Sequence, residues 1–144
     1  LVCKLSGPAS VVAGQPVQLR LRLSNTGSQA VDVLTWGTPF ETGWFSPYLS
    51  VSRGGQTLAY GGASLKRGDP RAQDYVRVEA GQSREATLEL STAFDLRTPG
   101  HYVVTPSLVL HDVVLDGAEA LPRPRDRHAT QPLACAKLEF TVTR

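Results

Sequence analysis

The chain has no apolar run long enough to cross a bilayer, no block of like charge and no sustained helical periodicity, and it holds only two cysteines and three histidines. Each absence removes a class of function. Without about 18 consecutive apolar residues no helix spans a membrane, and with no apolar leader in the sequence any export signal is expected to have been removed already. The net charge of +2 comes from basic residues interleaved with acids, so the electrostatic footprint of a nucleic-acid binder is missing. His101, His111 and His128 stand apart, with no His-Glu-x-x-His pair, no Cys-x-x-Cys and no acidic calcium loop, so no metal and no cofactor is expected. The serines lack a glycine elbow, and Asp69, Asp74, Glu79 and Glu85 are scattered. A chain without convergent nucleophile, acid and base is not expected to be an enzyme.

What is present is period-two alternation. Val17, Leu19, Leu21 and Leu23 alternate with Gln18, Arg20, Arg22 and Ser24, the mark of a strand with one dry and one wet face. A second strand runs from Val31 to Trp36 after the turn Asn25-Thr26-Gly27. Leu49 and Val51 pair through Arg53-Gly54-Gly55-Gln56 with Thr57 to Tyr60 as a hairpin. Tyr75 to Val78 and Ala86 to Leu90 follow, and Tyr102 to Leu110 is a long strand in which Pro106 demands an edge or a bulge. Residues 136–143 close the chain. The best helical candidate, Ser91 to Leu96, is one turn. Val12-Ala13-Gly14-Gln15 and Glu79-Ala80-Gly81-Gln82 read as one glycine-centred turn used twice. The 144 residues are therefore expected to form a single all-β domain, an immunoglobulin-like antiparallel sandwich of about seven to nine strands.

Cys3 and Cys135 lie near opposite ends of the chain, where a disulfide would tie the first strand to the last; the bridge points to an oxidising compartment. Chain entropy alone gives such a bridge roughly 4–5 kcal/mol. Alternation places Cys135 with the outward Lys137 and Glu139, so pairing with Cys3 calls for a bulge between Cys135 and Leu138. The setting expected is secreted or periplasmic, and the protein a monomer.

Three loops interrupt this background. The first, Gly37 to Pro47, gathers Phe40, Trp44 and Phe45 beside Trp36 and Tyr48. Either Trp36 is core and the others cover one end of the sandwich, or Trp44, Phe45, Tyr48 and Phe40 form an exposed surface for a carbohydrate or protein. The second runs from Tyr60 to Tyr75 and carries the adjacent cations Lys66 and Arg67 on a glycine-flanked stretch, followed by Asp69. Its plain reading is a connection whose glycines permit positive φ and whose Asp74 caps a turn. Lysine occurs only at positions 4, 66 and 137, which singles out Lys66. The third, residues 116–132, contains Pro122 to His128 and is expected to be a mobile, protease-accessible loop.

The order of features is more specific than any one of them: Leu5-Ser6-Gly7-Pro8, Leu23-Ser24-Asn25-Thr26-Gly27, Leu34-Thr35-Trp36-Gly37-Thr38-Pro39-Phe40-Glu41, Lys66-Arg67-Gly68-Asp69-Pro70, Asp74-Tyr75, Ala80-Gly81-Gln82-Ser83, Leu90-Ser91-Thr92-Ala93-Phe94-Asp95-Leu96 and Gly100-His101-Tyr102-Val103-Val104. Over about residues 5–110 this succession resembles the non-catalytic N-terminal region ahead of the peptidase domain in aspzincin metalloendopeptidases, the deuterolysin and peptidyl-lysine type. The resemblance implies a pro-domain or chaperone-like inhibitor whose partner is a zinc metalloendopeptidase. The peptidase half itself, with its His-Glu-x-x-His helix, is absent here. It further implies that Lys66 enters an acidic specificity pocket as a substrate mimic with Arg67 as a second contact, and that Tyr60, Asp69, Asp74 and Tyr75 belong to the same partner-binding loop.

Overall fold

The computed structural model describes residues 1–144. Thirteen strands are present: β1 Val2–Ser6, β2 Ser10–Val12, β3 Gln18–Ser24, β4 Val31–Leu34, β5 Leu49–Arg53, β6 Gln56–Thr57, β7 Tyr75–Val78, β8 Ser83–Glu89, β9 Gly100–Pro106, β10 Val109–Leu110, β11 Val113–Leu115, β12 Gln131–Pro132 and β13 Leu138–Thr143. Eight of them have four or more residues, and seven of these, β3, β4, β5, β7, β8, β9 and β13, are at the places expected from the sequence; the hairpin arm expected over Thr57 to Tyr60 is only Gln56–Thr57, and the strand expected from Tyr102 to Leu110 is divided into β9 and β10. Pieces of two or three residues are too short to show a period. The only helical turns are 3-10 segments at Ala72–Asp74, Leu90–Thr92 and Arg125–Arg127.

A five-stranded sheet, β2-β13-β9-β5-β6, and a three-stranded sheet, β1-β3-β8, form the sandwich. Two smaller sheets, β11-β4-β7 and β10-β12, complete the fold. The dry faces of β3 and β8 supply Leu19, Leu21, Leu23 and Leu88, and those of β5, β9 and β13 supply Val51, Tyr102, Val104, Phe140 and Val142, all in one continuous core. Full burial of each such side chain stabilises by about 1.5–3 kcal/mol. The chain's first edge is split: β1 pairs antiparallel with β3, whereas β2 crosses to pair parallel with β13. Tyr102, near the start of β9, stacks on Phe140 at 5.2 Å and donates its hydroxyl to the Thr98 carbonyl at 2.5 Å. That back-bond to the chain just upstream is the tyrosine corner of immunoglobulin-like sandwiches.

Turn chemistry explains the connections. Gln15 N–H donates to Val12 O at 3.1 Å and Gln82 N–H to Glu79 O at 3.0 Å, with Gly14 at φ 88° and Gly81 at φ 71° in third position. Both are type II turns, in which only the third residue needs the left-handed region. Pro106 ends β9 one pairing beyond Thr105, where β13 no longer runs alongside because its ladder stops at Val104. A missing N–H therefore costs no ladder bond.

Cys3 and Cys135 are bridged. The expected bulge is not needed, because β13 starts only at Leu138 and residues 133–137 belong to no strand, which frees Cys135 from alternation. Residues 116–132 contain the 3-10 turn at Arg125–Arg127 and the short β12, paired with β10. The turn at Asn25 is secured from inside. The Asn25 side chain, 5% exposed, donates to Gln29 O at 2.7 Å and Val78 O at 3.1 Å and accepts from Gly27 N–H at 3.0 Å. Asn25→Ala strands two carbonyls and an amide and is expected to cost about 2–3 kcal/mol, read as a lower urea midpoint at unchanged slope; a loss under about 0.5 kcal/mol would mean that water replaces the amide.

Candidate functional site

After β6 the chain leaves the sheet and reaches β7 through residues 58–74 without another strand. It is held to the domain at several points. Gly61 N–H donates to Ala93 O at 2.7 Å and Leu65 N–H to Phe45 O at 2.9 Å. The Tyr60 hydroxyl donates to Ala63 O at 2.5 Å. Farther along, Arg125 donates through its guanidinium to Arg67 O at 2.7 Å, and the Arg125 amide meets Asp69 Oδ1 at 3.4 Å. At the end, Asp74 accepts from the Arg71 amide at 2.7 Å, the turn-capping role that its residue type favours.

The bed under this loop is aromatic. Trp44 stacks on Tyr48 at 4.4 Å, meets Phe94 edge-on at 6.0 Å and Tyr60 at 6.1 Å, and donates Nε1–H to Glu89 O at 3.0 Å. Tyr48 is 5% exposed, and burial pushes its hydroxyl pKa well above the ordinary value. Phe40, Trp44 and Phe45 are half-buried. Much of the ring surface in this group is therefore taken up by internal packing, which leaves little free face for a sugar to stack on. Trp36 is buried outside the continuous sandwich core, with the Arg67 guanidinium 5.0 Å above its ring.

The two loop cations differ in setting. Arg67 lies between Trp36 and Phe45, 5.6 Å from the latter, and pairs with Glu41 at 2.6 Å, the two side chains being 20% and 12% exposed. Glu41 also accepts from the Gly37 amide at 2.8 Å. The Arg67 charge is thus matched within the domain and holds the loop down on its aromatic bed. Lys66, the preceding residue, is exposed. Leu65 beside it is 54% exposed. A lysine and a leucine accordingly stand in solvent on a loop fixed on both sides.

Tyr75 points elsewhere, to a polar knot beneath residues 116–132. Asp112 is fully buried and accepts from the Tyr75 hydroxyl at 2.7 Å, from the Ala129 amide at 2.9 Å and from Arg123 Nε at 3.1 Å, with a second, close bond from the same guanidinium. Burial works to raise the Asp112 pKa, but the bonds from Arg123, Ala129 and Tyr75 outweigh it and hold the carboxyl below its usual value. Tyr75 is pushed up to about 12 by burial and by its bond to Asp112. Arg123 also donates to Val113 O at 3.2 Å, and His128 Nε2–H donates to Arg123 O at 2.8 Å.

The sequence alone gave no role to Glu41, Asp112 or Arg123, and it left His111 and His128 as isolated residues. A signal for Asp112 was present: Leu108, Leu110, Asp112 and Val114 share one parity and are all buried, so the aspartate occupies a core position. His111 and His128, far apart in sequence, line one cavity. No three His, Cys, Asp or Glu side chains are grouped so as to hold a metal ion. No helix is long and apolar enough to cross a membrane.

Against this geometry, the chain is similar to an extracellular protease of Aeromonas hydrophila, with 36% identity over 88 residues. The matched stretch is 61% of this chain and 25% of that protein, so the chain spans about a quarter of the relative's length. No protein-family model matches the sequence. The similarity associates this all-β fold with part of a protease.

Proposed function

We propose that this chain is a non-catalytic domain that binds a secreted zinc endopeptidase of the aspzincin type and inhibits it or assists its folding. The observation that carries the reading is the contrast within the loop: Lys66 is exposed while Arg67 is pinned by Glu41, Trp36 and Phe45. A lysine projecting from an already ordered loop loses little conformational entropy on entering an acidic pocket, and its charge steers the encounter. The similarity to an extracellular protease and the Cys3–Cys135 bridge support an extracytoplasmic setting with a protease as partner. The alternative, an adhesion or carbohydrate- or protein-binding module on Trp44, Phe45, Tyr48 and Phe40, has less in its favour because Tyr48 is covered and Trp44 is stacked on it.

Titration of the domain into an aspzincin endopeptidase from the same source, with cleavage of a lysine-containing peptide as readout, tests the reading. Saturable inhibition near one-to-one is expected, weakened by about tenfold or more in Lys66→Ala, the size of a lost charged contact. Inhibition that Lys66→Ala leaves intact removes Lys66 from the interface. Absence of inhibition, together with unchanged refolding yield of the peptidase in the presence of the domain, overturns the proposal.

A further inference from the structure

Beside the loop lies an open cavity of about 480 Å³, within the range of ligand-holding clefts, about 300–1,000 Å³. Four positively charged or protonatable side chains, Arg67, Arg125, His111 and His128, line it together with Trp36 and Leu65, and no carboxylate does. Of the two arginines, Arg67 is matched by Glu41. Arg125 donates to the Arg67 carbonyl at 2.7 Å and is in no ion pair; Asp69 reaches only its backbone amide. Its remaining N–H groups are therefore free to meet an anion. His111 rests against Gly37, at φ 67°, where an added Cβ would come within 3.3 Å of Nε2, so the absence of a side chain leaves the imidazole at the wall. Desolvation chiefly, with Arg67 and His128 adding to it, lowers the His111 pKa, and Glu41 offsets them only in part. Ser46 and Thr130 also line the cavity.

We infer that this cavity binds a carboxylate carried beside an apolar side chain, as at the C-terminus of a peptide or at an acidic residue next to a large apolar one. The planar carboxylate matches the guanidinium fork of Arg125. The apolar part is called for by Trp36 in the wall and by Leu65, which leaves 54% of its surface uncovered; a strongly hydrated phosphate would gain nothing from either. Recognition of a terminal carboxylate by backbone and cationic groups is an established mode of peptide capture. The inference rests on the cavity and not on a peptidase partner, so it stands or falls separately from the function proposed above.

Calorimetric titration of the 144-residue chain with acetyl-Ala-Leu, its C-terminal amide, acetyl-Asp-Leu-amide and inorganic phosphate at matched ionic strength tests it. The free acid is expected to bind, the Ala-Leu amide to bind about tenfold or more weakly, and Arg125→Gln to weaken the acid about tenfold, the scale of one lost charge-assisted contact. Selective binding of the free acid identifies a C-terminus as the source of the carboxylate; equal binding of acetyl-Asp-Leu-amide extends the site to internal acidic residues. Because anion binding favours imidazolium, affinity is also expected to rise from pH 7 to about pH 5.5 while the ligand stays ionised. The groups facing His111 are Arg67, His128 and Glu41, and His111→Gln should flatten that rise. An amide that binds as well as the acid, phosphate that binds as tightly, or Arg125→Gln without effect in a variant whose Tm is unchanged overturns the assignment.

Discussion

Asp112→Asn is expected to lower the unfolding free energy by about 3–5 kcal/mol, the usual cost of breaking a buried ion pair by removing one partner. For a chain of this size that is a fall in Tm on the order of 10 °C. The Asp112 side chain is 0% and that of Arg123 12% exposed, so solvent screens little of their interaction. Neutralising the aspartate leaves the guanidinium buried without a counter-charge, and the new amide group cannot accept from Arg123, Tyr75 and Ala129 as two carboxylate oxygens do. Arg123→Met paired with Asp112→Leu should recover only part of the loss, since an apolar pair needs no counter-charge but leaves the Tyr75 hydroxyl and the Ala129 amide without their acceptor. If Asp112→Asn costs less than about 1 kcal/mol by chemical denaturation, the knot does not hold residues 116–132 to the domain.

The same carboxylate sets an acid sensitivity. Its folded pKa lies below the ordinary value, so the unfolded chain takes up the proton first as pH falls. The stabilisation is fully present above the unfolded value of about 3.9 and is lost as pH falls through the lower folded value. The denaturation midpoint of the natural protein should therefore decline across that acid window, and Asp112→Asn should show a shallower decline.

Replacing both cysteines by serine is expected to cost about 3–5 kcal/mol. The bridge spans 132 residues, for which chain entropy gives about 5 kcal/mol, with any native strain subtracting from it. Cys3 lies in β1, paired with Leu23 of β3 in the three-stranded sheet, and Cys135 lies shortly before β13 in the five-stranded one. The link therefore joins the two halves of the sandwich as well as the two ends of the chain. Because the effect acts mainly on the unfolded ensemble, the denaturant slope should rise in the serine variant as that ensemble expands. Equal midpoints with and without reductant would show that β1 and β13 hold their places without the bridge.

The sheet strands were legible where burial is one-sided. In β3 the alternation of Leu19, Leu21 and Leu23 with Arg20 and Arg22 is also the alternation of buried and exposed positions, because a pleated strand sends successive side chains to opposite faces. The repeated turns at Gly14 and Gly81 were legible because their conformation demands glycine. Less was legible in β2, β11 and β12, which are too short to display a period, and in the crossing of β2 to β13, a long-range choice that no local pattern encodes.

At the candidate site the sequence singled out the loop from Tyr60 to Tyr75 but could not divide labour within it. Lys66 and Arg67 are neighbouring cations on a glycine-flanked stretch, and only the fold brings Glu41, Trp36 and Phe45 to one of them. Proline and charge made residues 116–132 look unable to pack, since isolated charges are costly to bury; the partner that makes burial of Arg123 possible, Asp112, sits 11 residues upstream at a core position. Alternation, turn chemistry and the placement of the cysteines determined, from sequence alone, an all-β sandwich closed by an end-to-end bridge. Which charges are paired inside and which stay exposed was decided only in three dimensions, because charge pairing depends on distance through space and dielectric surroundings, neither of which the order of residues specifies.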